Sequence, residues 1–552
     1  MTPYRRLKKM SDQSRLFLAA VLMLGVLLVS WFVTGKNSSQ GSVETTISSQ
    51  QTQQVAQIPE QEPENTEEQD IQNDPVPMQP AEDPQNYEQK RVTVIVSGDN
   101  PGETIVVARL STTGGAVESW ILQDYKDHPD QQINQLVDLV ENPWLISEDQ
   151  DGTPVLFEYS GPDTVYVGEQ GATVTFVSGT STKTFVFEQE FYGFRLEKSG
   201  LDITSSLGAG TIPVTEEQTT TNGYFTASWY TNKHKKKNSE KIEGLESTGN
   251  VSWIASSSKY FTVILMPETM ERADGYVAPG EGGSAYIALD DNMITVYAGP
   301  KAYGLLSDLG RSTTDMIDFG WPIIRWIGKL IFLFLTTVLS FVTNWGLRIV
   351  ILAFALKILL SPLTTKSYVS MQKMQKIQPA MQEIQKKYAK DPKTQQSEMQ
   401  KLYKEKGVNP LGGCLPMLLQ MPVFFAMYRV LANMVELRGA GFILWINDLS
   451  RPEMILHFQT KVLGLEGIGL MALLLGVIMF LQQKLTGTSG TGSAAQQQKM
   501  MMYMMPVFMT FLFMRFASGL TLYWLVFNIL TLIHQELIKK KLASDQADGT
   551  AK

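Results

Sequence analysis

Residues 323–361 read IIRWIGKLIFLFLTTVLSFVTNWGLRIVILAFALKILLS, and within them only Arg325, Lys329, Arg348 and Lys357 carry charge. As one helix, at about 1.5 Å per residue, this stretch would run about 58 Å, nearly twice a bilayer's ~30 Å hydrocarbon core. It is therefore too long for a single span. Arg325 and Lys329 lie four apart beside Trp321 and Trp326, the pattern of an amphipathic helix lying in the interface, assigned here to 316–342. A turn at Thr343-Asn344-Trp345-Gly346 then opens a span from about Leu347 to Ser361, stopped by Pro362. Toward the C-terminus further apolar runs place spans at about Cys414–Met434, Leu463–Leu481, Met500–Phe516 and Leu520–Ile538, the last two hinged at Ala517-Ser518-Gly519.

Toward the N-terminus, Leu16 to Val33 holds no charge and follows Arg5, Arg6, Lys8, Lys9 and Arg15. A secretory signal peptide shares these features. No A-x-A-like cleavage site follows, which favours an uncleaved anchor over 1–34 with a cytoplasmic N-terminus. That makes six spans and brings both ends to the cytoplasm, with a short tail at 542–552. The segment 362–413 agrees with this count, since its ten lysines against four acids give it a net charge of +6. Met371, Met374, Met381, Ile384 and Tyr388 recur there at helical spacing, and Met399, Leu402 and Tyr403 mark a second helix beyond Asp391-Pro392. A cytosolic helical hairpin over 363–410 is expected. Residues 343–541 thus form a membrane core.

Residues 35–90 are rich in Gln, Glu, Pro and Ser and poor in large apolar side chains, the composition of a disordered acidic tether. From 91 to 315 the chain turns to short β-rich runs, such as Val92-Thr93-Val94-Ile95-Val96 and Tyr260-Phe261-Thr262-Val263-Ile264-Leu265. These predict a β-sandwich outside the cytoplasm, free to move on its tether, with His234-Lys235-Lys236-Lys237 as a solvated loop.

Composition closes off several function classes. The chain has 552 residues, and 47 Lys+Arg against 55 Asp+Glu give a charge of −8, with no overall basic field for nucleic acid. Cys414 is the single cysteine and the histidines number four, which argues against a disulfide framework, a metal centre or a cofactor bound through one. The exported domain holds only two histidines, His128 and His234, and no carboxylate pair of defensible spacing, which argues against an exported enzyme.

The polar residues inside the spans carry the remaining signal. Lys357 stands five residues before Pro362, about 7 Å above the inner end of its helix. It either snorkels inward or faces a wet cavity, where intramembrane charge usually marks function. Arg348, nine residues earlier and on the opposite face, snorkels outward. Gln420 lies about 9 Å into its span, level with Lys357. Gln482, Gln483 and His534 lie near the inner ends of theirs. Polar groups from four spans at one depth suggest an inner-leaflet cavity open to the cytoplasm. The Met- and Phe-rich rows Met417, Met421, Phe424, Phe425, Tyr428 and Met501–Met505 with Phe508 fit either promiscuous apolar contact or ordinary lipid-facing surface.

Asn409-Pro410-Leu411-Gly412-Gly413-Cys414-Leu415-Pro416, Gln420-Met421-Pro422, Trp445-Ile446-Asn447-Asp448-Leu449, and Ser518-Gly519-Leu520-Thr521-Leu522-Tyr523-Trp524 with Asn528 resemble the motifs of the YidC/Oxa membrane protein insertases. The resemblance covers about 318–541, and 91–315 is more loosely similar to the periplasmic domain of the Gram-negative members. It implies a six-span protein of the cell inner membrane with a five-helix insertase core and residues 35–315 in the periplasm. It further implies a non-enzymatic role in inserting and folding nascent membrane proteins, alone or with the Sec translocon, fed by the ribosome and signal-recognition machinery, without reading nucleic-acid sequence. The implied substrate groove comprises Lys357, Gln420, Gln483, Tyr523, Trp524 and Asn528; the implied hydrophobic slide comprises Met417, Met421, Phe424, Phe425, Tyr428, Met505 and Phe508. Two residues depart from the family pattern. Lys357 stands where Arg is usual, keeping the charge but losing the planar fork, and Ala517 stands where Pro is common.

Overall fold

Strict alternation builds the first strand: in β1 (Arg91–Ser97), Val92, Val94 and Val96 are fully buried while the residues between them lie nearer the surface. The computed structural model describes residues 89–100, 102–126, 136–140, 143–148, 153–200, 225–280, 284–409, 415–462, 465–486 and 493–550. The expected anchor (1–34), the tether as far as residue 88, Cys414 and the Met417, Met501 and Met502 side chains lie outside the described residues.

β1 pairs antiparallel with β2 (Thr104–Ser111) and parallel with β5 (Thr164–Val167), while β3 (Ala116–Lys126) and β4 (Leu136–Asp138) complete a sheet of order β4-β3-β2-β1-β5. A second sheet has eight strands. It takes β6 (Ala172–Ser178), β7 (Ser181–Phe187), β8 (Gly193–Ser199), β9 (Thr226–Tyr230), β10 (His234–Asn238), β12 (Trp253–Ser257), β13 (Phe261–Pro267) and β16 (Met293–Pro300) in the order β10-β9-β12-β13-β16-β8-β7-β6. β11 (Glu246–Val251), β14 (Ala273–Pro279) and β15 (Ala285–Leu289) form a third. One apolar core joins all three. Trp120 of the first sheet lies 5.5 Å from the Phe194 ring of the second and donates its indole N–H to Ala298 O at 2.8 Å, so its polar edge is satisfied inside that core. The architecture is a β-rich domain of three sheets, one more than the expected sandwich. The lysine run at 234–237 is a strand rather than a loop: β10 pairs with β9, and Lys237 binds Glu246 at 2.6 Å.

Lys183 of β7 is fully buried here, donating to the carbonyls of Leu145 and Gly114 and to Ser147 Oγ. It fastens the 143–148 segment to the Gly114-Gly115 turn, where both glycines take positive φ. Burial, aided by the charge of Lys198 beside it, holds its ammonium well below the ordinary lysine value of 10.5. The folded state therefore releases this proton at a lower pH than the unfolded chain, and the domain gains stability as pH rises toward 10.5. Above about 10 the trend reverses, because burial raises the Tyr125, Tyr192 and Tyr297 hydroxyls and the unfolded chain then ionises first. Urea unfolding of the β domain within the full chain should show a rise of up to about 1.4 kcal/mol per pH unit per proton between about pH 8 and 9.5. Lys183→Met should lose most of it, leaving the contribution of buried Lys198.

α1 (Tyr303–Asp308) leads to α2 (Pro322–Leu333), which continues through a π turn, Phe334–Val338. Within the interfacial segment expected at 316–342, then, the continuous helix covers only 322–338. α2 packs Gly328, Ile331 and Phe332 inward while Trp326, Ile323 and Leu330 stay exposed. α3 (Trp345–Lys376) begins at the N-cap Asn344, whose side chain accepts from Leu347 N. It does not stop at Pro362 but runs through it. Thr364 and Thr365, in the turn that follows, donate to Ser361 O at 3.0 and 2.9 Å, side-chain bonds to the helix's own backbone. α4 (Gln378–Lys387) and α5 (Pro392–Glu405) follow, joined at Asp391, which caps α5. Their apolar stripe is spent on each other: Ile377, Leu402 and Val408 form a small core with Met374, Met381 and Ile384 against it.

α6 (Leu415–Asn433), α7 (Leu470–Thr486), α8 (Ser493–Phe513) and α9 (Ser518–Thr550) complete the helical core. The expected span from Leu463 starts later, because Leu456–Val462 and Leu465–Ile468 pair as a hairpin, β17 and β18. Among the described residues, two helices are long and apolar enough to cross a membrane, at Trp345–Lys376 and Ser518–Leu542. α7 and α8 pack closely at Gly476, where a Cβ would come within 2.0 Å of Thr510 Oγ1.

Two further expectations change. Arg348 does not snorkel: it is 8 % exposed, donates to Val342 O (2.5 Å), Leu335 O (3.1 Å) and Ser340 O (3.2 Å), and stacks 4.1 Å from the Trp345 ring centre. It satisfies the carbonyls left over where the π turn ends. The β domain is also not free of the core. Val435, in the connection after α6, is buried within the β-domain core, and Arg438 lies over the rings of Tyr260 and Phe261.

Candidate functional site

Lys357 faces α9, where its ammonium donates to Thr531 Oγ1 at 2.9 Å and lies 5.3 Å from the Phe527 ring centre. It is 6 % exposed, so the snorkelling alternative does not describe it. No described ion pair involves it. A buried cation held by a hydroxyl and a ring face alone keeps an unmet demand for an anion. One turn further along α9, His534 Nε2 lies 3.2 Å from Thr365 Oγ1 of α3, so two polar pairs bridge the same two helices. Thr531 and Thr365 were not singled out in the sequence. Their signal was there: Phe527, Thr531 and His534 share one side of α9 at helical spacing.

Gln420 does not sit level with Lys357. Its amide approaches the Tyr523 hydroxyl, and both atoms are buried without hydrogen-bond geometry. Tyr523 precedes Thr531 by two helical turns, about 12 Å, so the polar groups are strung along α9 rather than gathered at one depth. Gln483 is half-buried near the end of α7. Asn528 turns back on its own helix, donating to Trp524 O at 2.8 Å. Trp524 joins an aromatic cluster, 5.1 Å from Phe424 and 6.0 Å from Phe513.

Among the slide candidates, Met421, Phe424, Phe425 and Met505 are half-buried, Tyr428 lies 5.5 Å from Phe516, and Phe508 is exposed. The apolar face is thus shared between packing and surface. No cluster of three or more His, Cys, Asp or Glu side chains able to hold a metal occurs among the described residues.

Two family models match the chain: "60Kd inner membrane protein" over residues 337–545 and "YidC periplasmic domain" over 103–334. A protein of Geotalea daltonii named membrane protein insertase YidC is 33% identical over 485 residues, covering 79% of this chain and 86% of that protein. One of the same name from Wolinella succinogenes is 40% identical over 303 residues; the match spans about half of each, 54% of this chain and 53% of the relative. A solved structure described as an active YidC insertase with its first transmembrane domain resolved covers 80% of this chain and 94% of its own, at 20% identity and a TM-score of 0.35. With one model matching the β-rich half, another the helical half, and a relative aligned across nearly its whole length, the chain belongs to the YidC family of inner membrane proteins.

Proposed function

We propose that this chain inserts and helps fold membrane proteins, receiving the polar tail of an incoming segment at Lys357 between α3 and α9 while the apolar helix leaves along α6 and α8 into lipid. The observation that carries the reading is a buried ammonium with no carboxylate paired to it among the described residues. A polar tail crossing hydrocarbon costs several kcal/mol per unpaired group. A charged recess midway along the passage lowers that cost for acidic tails, and burial of the arriving apolar helix, at ~25 cal/mol per Å², drives the step. Nothing covalent is made or broken, so the role is that of an insertase and chaperone, not an enzyme. The slide is Met417, Met421, Phe424, Phe425, Tyr428, Met505 and Phe508; Gln420, Gln483, Tyr523, Trp524 and Asn528 line or support the groove.

In this reading six spans cross the inner membrane, both termini and the α4–α5 hairpin are cytoplasmic, and the β domain is periplasmic, reached through a tether over 35–90. α2 lies in the outer interface. The ribosome, the signal-recognition machinery and the Sec translocon are the expected partners. Vesicles holding only the purified chain should insert a single-span protein with an acidic translocated tail; vesicles that insert none refute the reading. Orientation has its own check. A cysteine at exposed Ser397 on α5, in a Cys414→Ser background, should resist an impermeant maleimide added from the periplasmic side and react at least about tenfold faster once the membrane is opened.

A further inference from the structure

The connection between α6 and β17 is a mounting point for one end of the helical core. Asn344 Nδ2 donates to Phe442 O, and the Phe442 ring covers Gly346 so closely that a Cβ there would come within 2.2 Å. Glu453 caps α7 through Leu470 N and Met471 N, both at 3.0 Å. Ser518 N and Gly519 N, opening α9, donate to Arg451 O and Leu449 O. The N-terminal ends of α3, α7 and α9 are therefore gathered on this one segment. If α3 and α9 cross the bilayer, the segment lies at its outer boundary.

Against that frame of satisfied polar groups, three consecutive apolar side chains point away from the protein. Ile443, Leu444 and Trp445 are 54 %, 81 % and 39 % exposed, although Ile446 beside them is buried. Leu444 holds φ +57°, a left-handed conformation unfavourable for leucine, inside a tight loop closed by Phe442 N to Ile446 O. The Trp445 indole N–H is turned back to Glu453 Oε1 at 2.5 Å, leaving the ring's apolar part outward. The first turn of α3 that Phe442 covers also carries Arg348, which clamps the end of the α2 segment, whose own Ile323, Trp326 and Leu330 are exposed. The two apolar faces are thus mounted on the same turn.

We propose that Ile443, Leu444 and Trp445 insert into the outer leaflet of the surrounding bilayer as a second interfacial anchor, so that lipid holds the mounting segment as well as α2. The occupant is the acyl-chain boundary of the membrane itself, by continuity with α2 and with the ends of the spans. The proposal rests on the membrane placement of α3 and α9 given above.

The test uses the full chain with Cys414→Ser and one cysteine at Leu444, at Phe354 partway along α3, or at Thr180 on the exposed β6–β7 turn. Each is labelled with bimane and placed in phosphatidylcholine–phosphatidylglycerol vesicles carrying lipids doxyl-labelled at acyl carbon 5 or 12. The label at 444 should be quenched at least about twofold by the shallow doxyl lipid and less by the deep one, with Thr180 unaffected. Ile443→Asp should reduce the quenching at 444. Quenching at 354 with none at 444 overturns the anchor and leaves the spans standing; no quenching at 354 overturns the placement of α3 and the anchor with it. Disulfide dimers formed by the unlabelled 444 cysteine under mild oxidation, with no lipid quenching of the labelled form, would assign the face to a second copy and overturn the lipid assignment.

Discussion

Lys357→Leu should lower the insertion of substrates with acidic translocated tails about tenfold and change that of neutral-tailed substrates by less than about threefold, with Lys357→Arg close to the parent. An ammonium and a carboxylate about 4 Å apart attract by about 4 kcal/mol at an effective dielectric of 20, and a tenfold effect needs only about 1.4 kcal/mol of it. The substitution separates function from folding. Thr531 Oγ1, which loses its lysine, still donates to Phe527 O at 2.7 Å, so the hydroxyl is not orphaned. Removing a buried cation also relieves desolvation. Insertion assayed in vesicles with paired acidic and neutral tails decides the matter: equal losses for both tails would reduce Lys357 to a packing residue.

Arg348→Leu should have the largest effect on stability. The guanidinium satisfies three carbonyls, those of Leu335, Ser340 and Val342, where the π turn gives way to the start of α3. Leucine leaves all three without this donor at about 1 kcal/mol or more each, a loss of roughly 3 kcal/mol. The stacking on Trp345 goes with it. Arg348→Lys keeps the charge but lacks the fork to reach three acceptors at once and should fall between. A lowered thermal midpoint in detergent, with new proteolysis between 334 and 343, is the expected signature; an unchanged midpoint would mean that water serves those carbonyls equally well.

The sequence made the two-part organisation readable because its cues are local: period-two alternation at Val92, Val94 and Val96, and uninterrupted apolar runs after 323. The errors lie where a residue's partner is backbone or belongs to a distant element. Pro362 reads as a helix stop, yet the helix runs through it, because one missing rung in a 32-residue helix is outweighed by the bonds on either side. Arg348 looked like a snorkelling arginine because its acceptors are carbonyls, which leave no mark in a sequence. Val435 has no local mark in the sequence, yet it is buried in the core of a domain whose strands lie more than a hundred residues earlier. Lys357 was legible by its depth; Thr531, its partner, was not, because threonine in a membrane helix usually bonds its own backbone, as this one also does.

Pro362 has a mechanical consequence. It cannot donate to Ile358 O, and a long rod yields first where a rung is missing. From there to Lys376 the shaft runs about 21 Å, so a bend of about 20° would swing the base of the α4–α5 hairpin by roughly 7 Å. Lys357 lies on the other side of that joint, secured to Thr531. In the proposed orientation the hairpin can therefore sway with a heavy load at the cytoplasmic face, as a buoy rides on its chain, while the ammonium stays moored.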